Sequence, residues 1–203
     1  LKLSHDDQYL VVAAENDDAI SWFERNSTTG QLTFLGSLSD NVAGVDGLDR
    51  ANRISITPDD LHVYITAYGD DSISWFERDK LTGDLTYGGT LKNGTNNIDY
   101  LNGAIGVTCS SDGQFVYVAS QDSHTLNWFS RDANTGSLSM LGSLTGDAAN
   151  NPNLKWPRDI KIHDLGIYAF ISSKNDNSIS LKRKVLKIEH EIYPKAIEKF
   201  LTN

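Results

Sequence analysis

The chain has 203 residues, of which 39% are hydrophobic, and a formal net charge of −9. We expect no nucleic acid and no membrane as partners, because phosphate and anionic lipid surfaces both require a basic face. Its one cysteine, Cys109, excludes a disulfide framework within the chain and is interpreted as a small buried side chain on a strand. No run approaches the roughly 18 apolar residues of a membrane-spanning helix.

The main feature of the sequence is a repeat of fixed length. The segments DDAISWFERNSTTGQLTFLG, DDSISWFERDKLTGDLTYGG and SHTLNWFSRDANTGSLSMLG begin at residues 17, 70 and 123, so that Trp22, Trp75 and Trp128 are 53 residues apart. A fainter fourth copy, NSISLKRK, places Ile179 in step with the first three. A fixed period of this order predicts a repeat architecture.

The second copy shows most clearly what one repeat builds. Short apolar and β-branched runs linked by turn residues predict four antiparallel strands joined by hairpins, namely ANRISI (51–56), LHVYITA (61–67), SISWFER (72–78) and DLTYGGTL (84–91). Ile73 and Trp75 lie on one face of the third strand and Phe76 on the other, so the sheet is apolar on both sides. Sheets of this kind stacked radially form a β-propeller, in which the Trp–Phe pairs pack between blades.

A family resemblance supports this interpretation. The repeats SITPDDLHVYITAYGDDSISWFERDKLTGDLTYGG and TCSSDGQFVYVASQDSHTLNWFSRDANTGSLSMLG resemble the S-P-D-G-x-x-V-Y-V-A … S-I-x-x-F-x-R-D-x-x-T-G-x-L pattern of the YVTN and lactonase-like β-propellers. The resemblance covers residues 1 to about 181. It implies an all-β fold of four-stranded antiparallel blades, about four of them present, in a ring that is usually seven-bladed. Bacterial 6-phosphogluconolactonases and fungal carboxymuconate cyclases have this fold, as do relatives without an established activity.

The fourth copy carries the motif that bears most on chemistry. WPRDIKIHDLG (156–166) is similar to the G-P-R-H start of a lactonase-family blade: Pro157 and Arg158 match, whereas Asp159 stands in place of the histidine. The resemblance implies that the planar guanidinium of Arg158 binds an anionic substrate group. The alternative is an arginine paired with surface carboxylates.

The end of the chain differs in composition from the repeats. Residues 1–181 form the propeller part, whereas residues 182–203 contain six Lys/Arg and three Glu, which gives this tail a charge of +3 and the body −12. The tail predicts a last outer strand within VLKIE and a short amphipathic helix within YPKAIEKFL. Three explanations stay open: a fragment of a larger propeller, which we favour, a closed four-bladed ring, or two copies that associate to complete a ring.

The predicted ligand-binding residues lie mainly on the loops that join the blades, which are rich in Asp, Asn and Gly. Asp46 and Asp99 occupy equivalent positions in two repeats, as do Asp49 and Asn102, and Arg158 follows the next such loop. These side chains suit a sugar-like or lactone ligand or a calcium ion, although Asp and Asn also cap turns in such loops. Calcium is the one cofactor that we keep open, and the spacing of the histidines predicts no zinc site.

Three functions are compatible with these features, and one of them is a purely structural role as a cell-surface array. We prefer a binding or scaffold module that presents the acidic loop face to a small molecule, a glycan or a protein, because near-identical blades offer near-identical surfaces whereas catalysis needs distinct groups that converge once. The alternative is a lactonase-type hydrolase, similar to 6-phosphogluconolactonase, or a muconate cyclase-like enzyme, with Arg158 on the anionic group. Catalytic residues stay unassigned. We expect an extracytoplasmic bacterial protein, either periplasmic, on the cell surface or secreted.

Overall fold

The computed structural model describes residues 1–146, 154–162, 168–174 and 184–187. Within these residues the secondary structure is entirely β, in four antiparallel sheets that follow one another along the chain. No helix in this described part is long and apolar enough to cross a membrane. The predicted all-β propeller architecture is confirmed.

Each sheet is one blade, and its strands are ordered as in the sequence. Blade 1 consists of β1 (Lys2–Leu3), β2 (Tyr9–Ala14), β3 (Ala19–Arg25) and β4 (Leu32–Ser39). Blade 2 consists of β5 (Ala51–Ile56), β6 (His62–Ala67), β7 (Ser72–Arg78) and β8 (Leu85–Lys92). Blade 3 consists of β9 (Ala104–Cys109), β10 (Phe115–Ser120), β11 (Thr125–Arg131) and β12 (Leu138–Thr145). In blade 4 the described strands are β13 (Pro157–Ile162), β14 (Tyr168–Ser173) and β15 (Lys184–Lys187).

The tail supplies one of these strands. β15 pairs with β14 and therefore takes the third position of its sheet, rather than an outer fourth position. The period places Ile179 in that third strand, but Ile179 lies outside the described residues. The helix predicted within YPKAIEKFL lies outside them as well.

The hairpin that closes each repeat explains its Thr-Gly signature. In blade 2 the Asp79 carboxylate accepts hydrogen bonds from the backbone amides of Leu81 and Thr82, at 2.7 and 3.2 Å. The turn then ends at Gly83, whose φ of 78° is a conformation that favours glycine. Asn26 and Asp132 make the same pair of bonds in blades 1 and 3.

The blades pack through the predicted tryptophan–phenylalanine layers. Trp22 of blade 1 and Phe76 of blade 2 belong to one buried cluster, and Trp75 of blade 2 and Phe129 of blade 3 belong to the next. Trp128 continues the series into the cluster between blades 3 and 4. The aromatic pairs therefore form the joints between blades, as the two-faced apolar pattern predicts.

Polar contacts reinforce each joint at the end of the third strand, beside the turn between the first two strands of the same blade. Arg78 is fully buried, donates to the Asp60 carbonyl at 3.1 Å, and lies 3.6 Å from the Asp6 carboxylate of blade 1. One period later, Arg131 pairs with Asp59 of blade 2 at 2.7 Å and lies 2.7 Å from His62 Nδ1. The same joint design is thus used twice with different side chains.

The first strand of each blade is the innermost. β5 packs beside β9, and β9 beside β13, so these strands line the central axis. Gly106 permits this close approach, since a side chain there would meet the backbone of Arg158 and Asp159 at about 3 Å. Polar side chains on the inner strands therefore converge near the axis.

Candidate functional site

The acidic loop face contains one compact group of carboxylates among the described residues. Oxygens of Asp40, Asp46 and Asp70 lie within 4.8 Å of one another, in the loops around the joint between blades 1 and 2. The ammonium of Lys92 lies 2.6 Å from both Asp46 and Asp70. Burial lowers the pKa of Lys92, but its hydrogen bonds to these two carboxylates outweigh burial and raise it overall. A calcium ion at this place would have to displace the ammonium.

These carboxylates also hold the backbone of the loop. Asp40 accepts a hydrogen bond from the Leu48 amide at 2.8 Å, and Asp70 accepts one from the Asp49 amide at 2.9 Å. The turn-capping role that we kept open in the sequence is thus present here. Lys92 stands where the other two blades have Ser39 and Thr145, so the arrangement is specific to this joint.

Of the other predicted loop residues, Asp49 lies beside this group, since its amide donates to Asp70. Asp49 is half-buried, and burial, followed by the nearby carboxylates of Asp18, Asp70 and Asp40, raises its pKa.

Asp99 and Asn102 are exposed in the connection from β8 to β9. The backbone carbonyl of Asn102 accepts hydrogen bonds from the amides of Asp122 and Ser123, at 3.2 and 3.1 Å. The structure therefore brings Asp46 and Asp49 close to Asp70, and it leaves Asp99 and Asn102 on a separate loop.

The fifth predicted residue, Arg158, lines a polar pocket at the start of the inner strands. The pocket has a volume of about 410 Å³, and Arg50 and Arg53 line it together with Arg158. Glu15 supplies the one carboxylate among the residues that line it, and the other lining residues are Asn52, Tyr68, Ile105 and Gln121. We call this group the arginine pocket. Three arginines and one carboxylate line it, in a chain whose net charge is −9.

The three arginines differ in the contacts that their guanidinium groups make within the protein. Arg50 lies 3.3 Å from Glu15 and stacks over the Tyr68 ring at 4.6 Å, and Arg53 donates to the amide oxygen of Asn52 at 2.7 Å. Arg158 makes no salt bridge with any carboxylate in the described part of the chain. Its guanidinium is therefore the one most open to an anionic ligand.

Gln121 adds an acceptor to the arginine pocket. Its Nε2 donates to Asp122 at 3.1 Å, which orients the amide, and its buried Oε1 has no hydrogen-bond partner among the described residues. A buried acceptor without a partner is costly, so a ligand hydroxyl that donated to it would gain affinity. Arg158 and Gln121 together suit a ligand with an anionic group and a hydroxyl.

A second pocket, of about 360 Å³, lies at the opposite end of the inner strands and contains Cys109. The Cys109 thiol is 3.3 Å from Ser55 Oγ, and burial raises its pKa to about 11. A thiol of this kind stays protonated at neutral pH and is a poor nucleophile. Cys109 lies on a strand, β9, as predicted, but it is half-buried and lines this pocket, so the prediction of a buried side chain holds only in part.

The blade architecture defines the class of protein, a β-propeller. The description of the family model that matches is "Lactonase, 7-bladed beta-propeller", and it covers residues 1–46 and 35–153. The chain therefore belongs to the family of lactonase-type seven-bladed β-propellers. No curated protein sequence is significantly similar to it.

Solved structures with the same fold include three bacterial proteins. A candidate 6-phosphogluconolactonase from Bacteroides uniformis superimposes with a TM-score of 0.73 at 17% identity, covering 93% of this chain and 50% of that one. A second candidate 6-phosphogluconolactonase, from Bacteroides fragilis, gives 0.66 at 18% identity, with 93% and 54% covered. The periplasmic gluconolactonase of Pseudomonas aeruginosa gives 0.59 at 21% identity, with 70% and 38% covered. The chain thus spans about half the length of the first of these structures.

Sequence reasoning singled out Arg158 but missed Arg50 and Arg53. A signal was present, because Asn52 and Arg53 lie one and two positions into β5, where Arg158 and Asp159 lie in β13. Polar residues at the start of a strand that is otherwise apolar would have marked the mouth of the axis.

Proposed function

We propose that this propeller is a lactonase-type hydrolase that binds an anionic sugar lactone in the arginine pocket. The observation that carries the proposal is the convergence of Arg50, Arg53 and Arg158 at the axis of a lactonase-family propeller. A cleft of one sign of charge concentrates ligands of the opposite sign, even in a protein whose net charge opposes them. The names of the Bacteroides and Pseudomonas structures, which point to lactone substrates, support the same class of reaction.

The side chains of the pocket have distinct roles in this proposal. Arg158 binds the carboxylate or phosphate of the substrate through its planar fork, and Gln121 Oε1 accepts a hydrogen bond from a sugar hydroxyl. Water attacks the lactone carbonyl, and the guanidinium groups stabilise the negative charge that develops on the carbonyl oxygen. Glu15, which Arg50 and Asn52 orient at 3.3 Å each, accepts the proton of the attacking water. The ring C–O bond then breaks, and its oxygen takes up the proton that Glu15 holds.

A binding module without turnover is the second candidate. Asp159 favours it, because it stands where the resemblance places a histidine, and its carboxylate accepts a hydrogen bond from the Ile160 amide at 3.0 Å. Such a module would use the same pocket. On the loop face, the carboxylates of Asp46 and Asp70 are already paired with Lys92 and are therefore less available to a ligand than the arginine pocket.

The test is hydrolysis of 6-phosphogluconolactone by the 203-residue chain, followed by acid release at constant pH. We expect turnover above the spontaneous rate, a lower rate with uncharged gluconolactone, and a loss of roughly tenfold or more in kcat/KM for the phosphorylated substrate in Arg158→Met.

Arg25→Met is the matched control, because Arg25 ends β3, is not among the residues that line the arginine pocket, and donates to the Asp7 carbonyl. Saturable binding without turnover would favour the module, whereas neither binding nor turnover would contradict both candidates.

We also propose an extracytoplasmic location, because an acidic, Asn- and Asp-rich repeat chain suits the bacterial envelope, and the Pseudomonas protein is named as periplasmic. Fractionation of cells of the source organism, with an antibody against the chain, tests this. Recovery with cytoplasmic markers alone would contradict it.

A further inference from the structure

A backbone latch recurs where the chain enters each new blade. The Asp18 carboxylate accepts a hydrogen bond from the Arg50 amide at 2.8 Å, just before β5. One period later, Asp71 accepts one from the Gly103 amide at 2.7 Å, just before β9. Arg50 has a φ of 56° and Gly103 a φ of 69°. Because a non-glycine residue in this left-handed region is strained, a partner for its amide helps to hold it there.

The third copy of the latch uses an imidazole. His124 stands one period after Asp71, and its Nδ1 lies 3.2 Å from the amide nitrogen of Trp156, one period after Gly103. Trp156 has a φ of 46°, as the latch position requires. The His124 and Trp156 rings also make an edge contact, with centroids 5.0 Å apart. The hydrogen bond to the backbone amide is therefore present in all three copies, although its acceptor is an imidazole in the third and a carboxylate in the first two.

The imidazole nitrogen has two competing partners. Nδ1 of His124 also lies 2.9 Å from the backbone carbonyl oxygen of Gln121. A bare Nδ1 accepts the Trp156 amide hydrogen, whereas a protonated Nδ1 can only donate, and its acceptor is then the Gln121 carbonyl. The two hydrogen bonds exclude each other, because one ring nitrogen cannot accept and donate at once.

We propose that His124 is a proton-operated latch that positions Arg158. With Nδ1 bare, the latch holds the Trp156 amide and with it the start of β13. With Nδ1 protonated, the Trp156 amide loses its acceptor, and the strained segment that carries Arg158 is released. Gln121, whose carbonyl is the alternative partner of Nδ1, also lines the arginine pocket. The regulatory consequence for ligand binding rests on the proposed function of that pocket.

Of the three latch acceptors, the one on His124 is a ring nitrogen, which accepts or donates a hydrogen bond according to its proton. The other charged side chains on the elements packed against His124 are Asp122 on its own turn, Lys155 and Arg158 on the segment entering β13, and Lys174 after β14, whose amide donates to the Trp156 carbonyl at 2.9 Å. Carboxylates, ammonium groups and guanidinium groups ordinarily keep their charge between about pH 5 and about pH 8, the interval in which imidazole titrates.

The first experiment measures amide hydrogen exchange by NMR, with the Arg50 and Gly103 amides as internal controls. After correction for the intrinsic rate, we expect Trp156 exchange to accelerate by roughly tenfold from about pH 8 to about pH 5, the factor expected from the loss of one hydrogen bond. The two control amides should not accelerate. His124→Asp, which installs the acceptor of the other latches, should make Trp156 behave as they do.

The latch is overturned if Trp156 follows the controls in the wild-type protein. It is also overturned if long-range ¹H–¹⁵N spectra place the proton of neutral His124 on Nδ1. Both results come from wild-type protein, so they decide the question even if the variant does not fold.

The second experiment tests the coupling to the pocket, with sulfate as the probe because it stays a dianion over this pH interval. Calorimetry should show sulfate affinity falling several-fold as the pH is lowered in wild type and staying constant in His124→Asp. A positive charge on His124 acting only by attraction would raise the affinity instead, and that result would overturn the coupling. Absence of sulfate binding at every pH would contradict the proposed pocket, and with it the coupling, while amide exchange would still decide the latch.

Discussion

Blades 1 and 2 carry the same leading face, but within the described part of the chain only blade 2 has a neighbouring blade packed on it. Phe76 is fully buried and Leu85 is 6% exposed, whereas their counterparts one period earlier are half-buried Phe23 and Leu32, which is 44% exposed. Phe34, on the same face of blade 1, is 57% exposed. Burial of this face is therefore a property of a pair of blades. An exposed apolar face of this kind marks a surface for association.

The largest expected effect comes from truncating the equivalent phenylalanine in each of the two blades. Phe76→Ala should lower the free energy of unfolding by about 3–5 kcal/mol, because it leaves a cavity in the joint between blades 1 and 2. Phe23→Ala should cost about 1 kcal/mol or less, because that ring is still partly in water in the free chain. Urea unfolding followed by tryptophan fluorescence measures both.

Equal losses in the two variants would break the comparison. They would mean that the face of blade 1 is covered in solution, as expected if two copies associate to complete a ring. Light scattering on the same samples would then show a dimer, and the loss in Phe23→Ala would depend on protein concentration.

The joints around Arg78 and Arg131 should differ more sharply, in how the stability of the fold depends on pH. Burial, and then the positive charge of Arg131, lower the pKa of His62. A group whose pKa is lowered on folding contributes stability above its ordinary pKa. That stability is lost as the pH falls through the imidazole range, since the unfolded chain takes up the proton more readily. The wild-type protein should therefore lose stability between about pH 7.5 and about pH 5.5.

His62→Tyr removes that titration by copying the other joint, where Tyr9 lies under Arg78 at 4.7 Å. Its free energy of unfolding should depend less on pH over the same interval than that of wild type, measured by urea unfolding at several pH values. An unchanged pH slope would assign the loss to other groups.

The smallest effect is expected at the loops. Lys92→Thr, which copies Thr145 of blade 3, should cost less than about 1 kcal/mol, because ion pairs that are partly exposed contribute little. Without the ammonium, Asp40, Asp46 and Asp70 offer oxygens suited to calcium. Millimolar-range calcium should therefore restore the stability of the variant and leave EDTA-treated wild type unchanged, as measured by urea unfolding. A gain in wild type would show that calcium binds despite Lys92.

The fold was largely predictable because the same pattern of strands and turns occurs three times in the sequence. SISWFER predicts a strand over 72–78, and β7 spans Ser72–Arg78. The same pattern predicts that Trp75 packs between blades, and it does. Local alternation determines these features, so a single copy of the sequence contains the information. The open face of blade 1 is different, because its burial depends on what lies beside it.

The candidate site was predictable only in part. Arg158 stood out through a motif, but the ion pairs of Lys92 join positions 22 and 46 residues away in the chain, and nothing local marks them. Similarly, Gln121 reaches the arginine pocket from a different blade than Arg158. Contacts between successive repeats depend on where the blades differ, and a repeat pattern emphasises where they agree.

The joints between blades also bear on how such chains change over generations. Tyr9 donates to the Leu81 carbonyl, Tyr64 to the Gly136 carbonyl and Arg131 to Asp59, and each pair is 72 positions apart. Each blade therefore carries one half of a joint on either side. A gene that gains or loses one whole period brings together halves that already match, so the number of blades can change without a new interface having to arise.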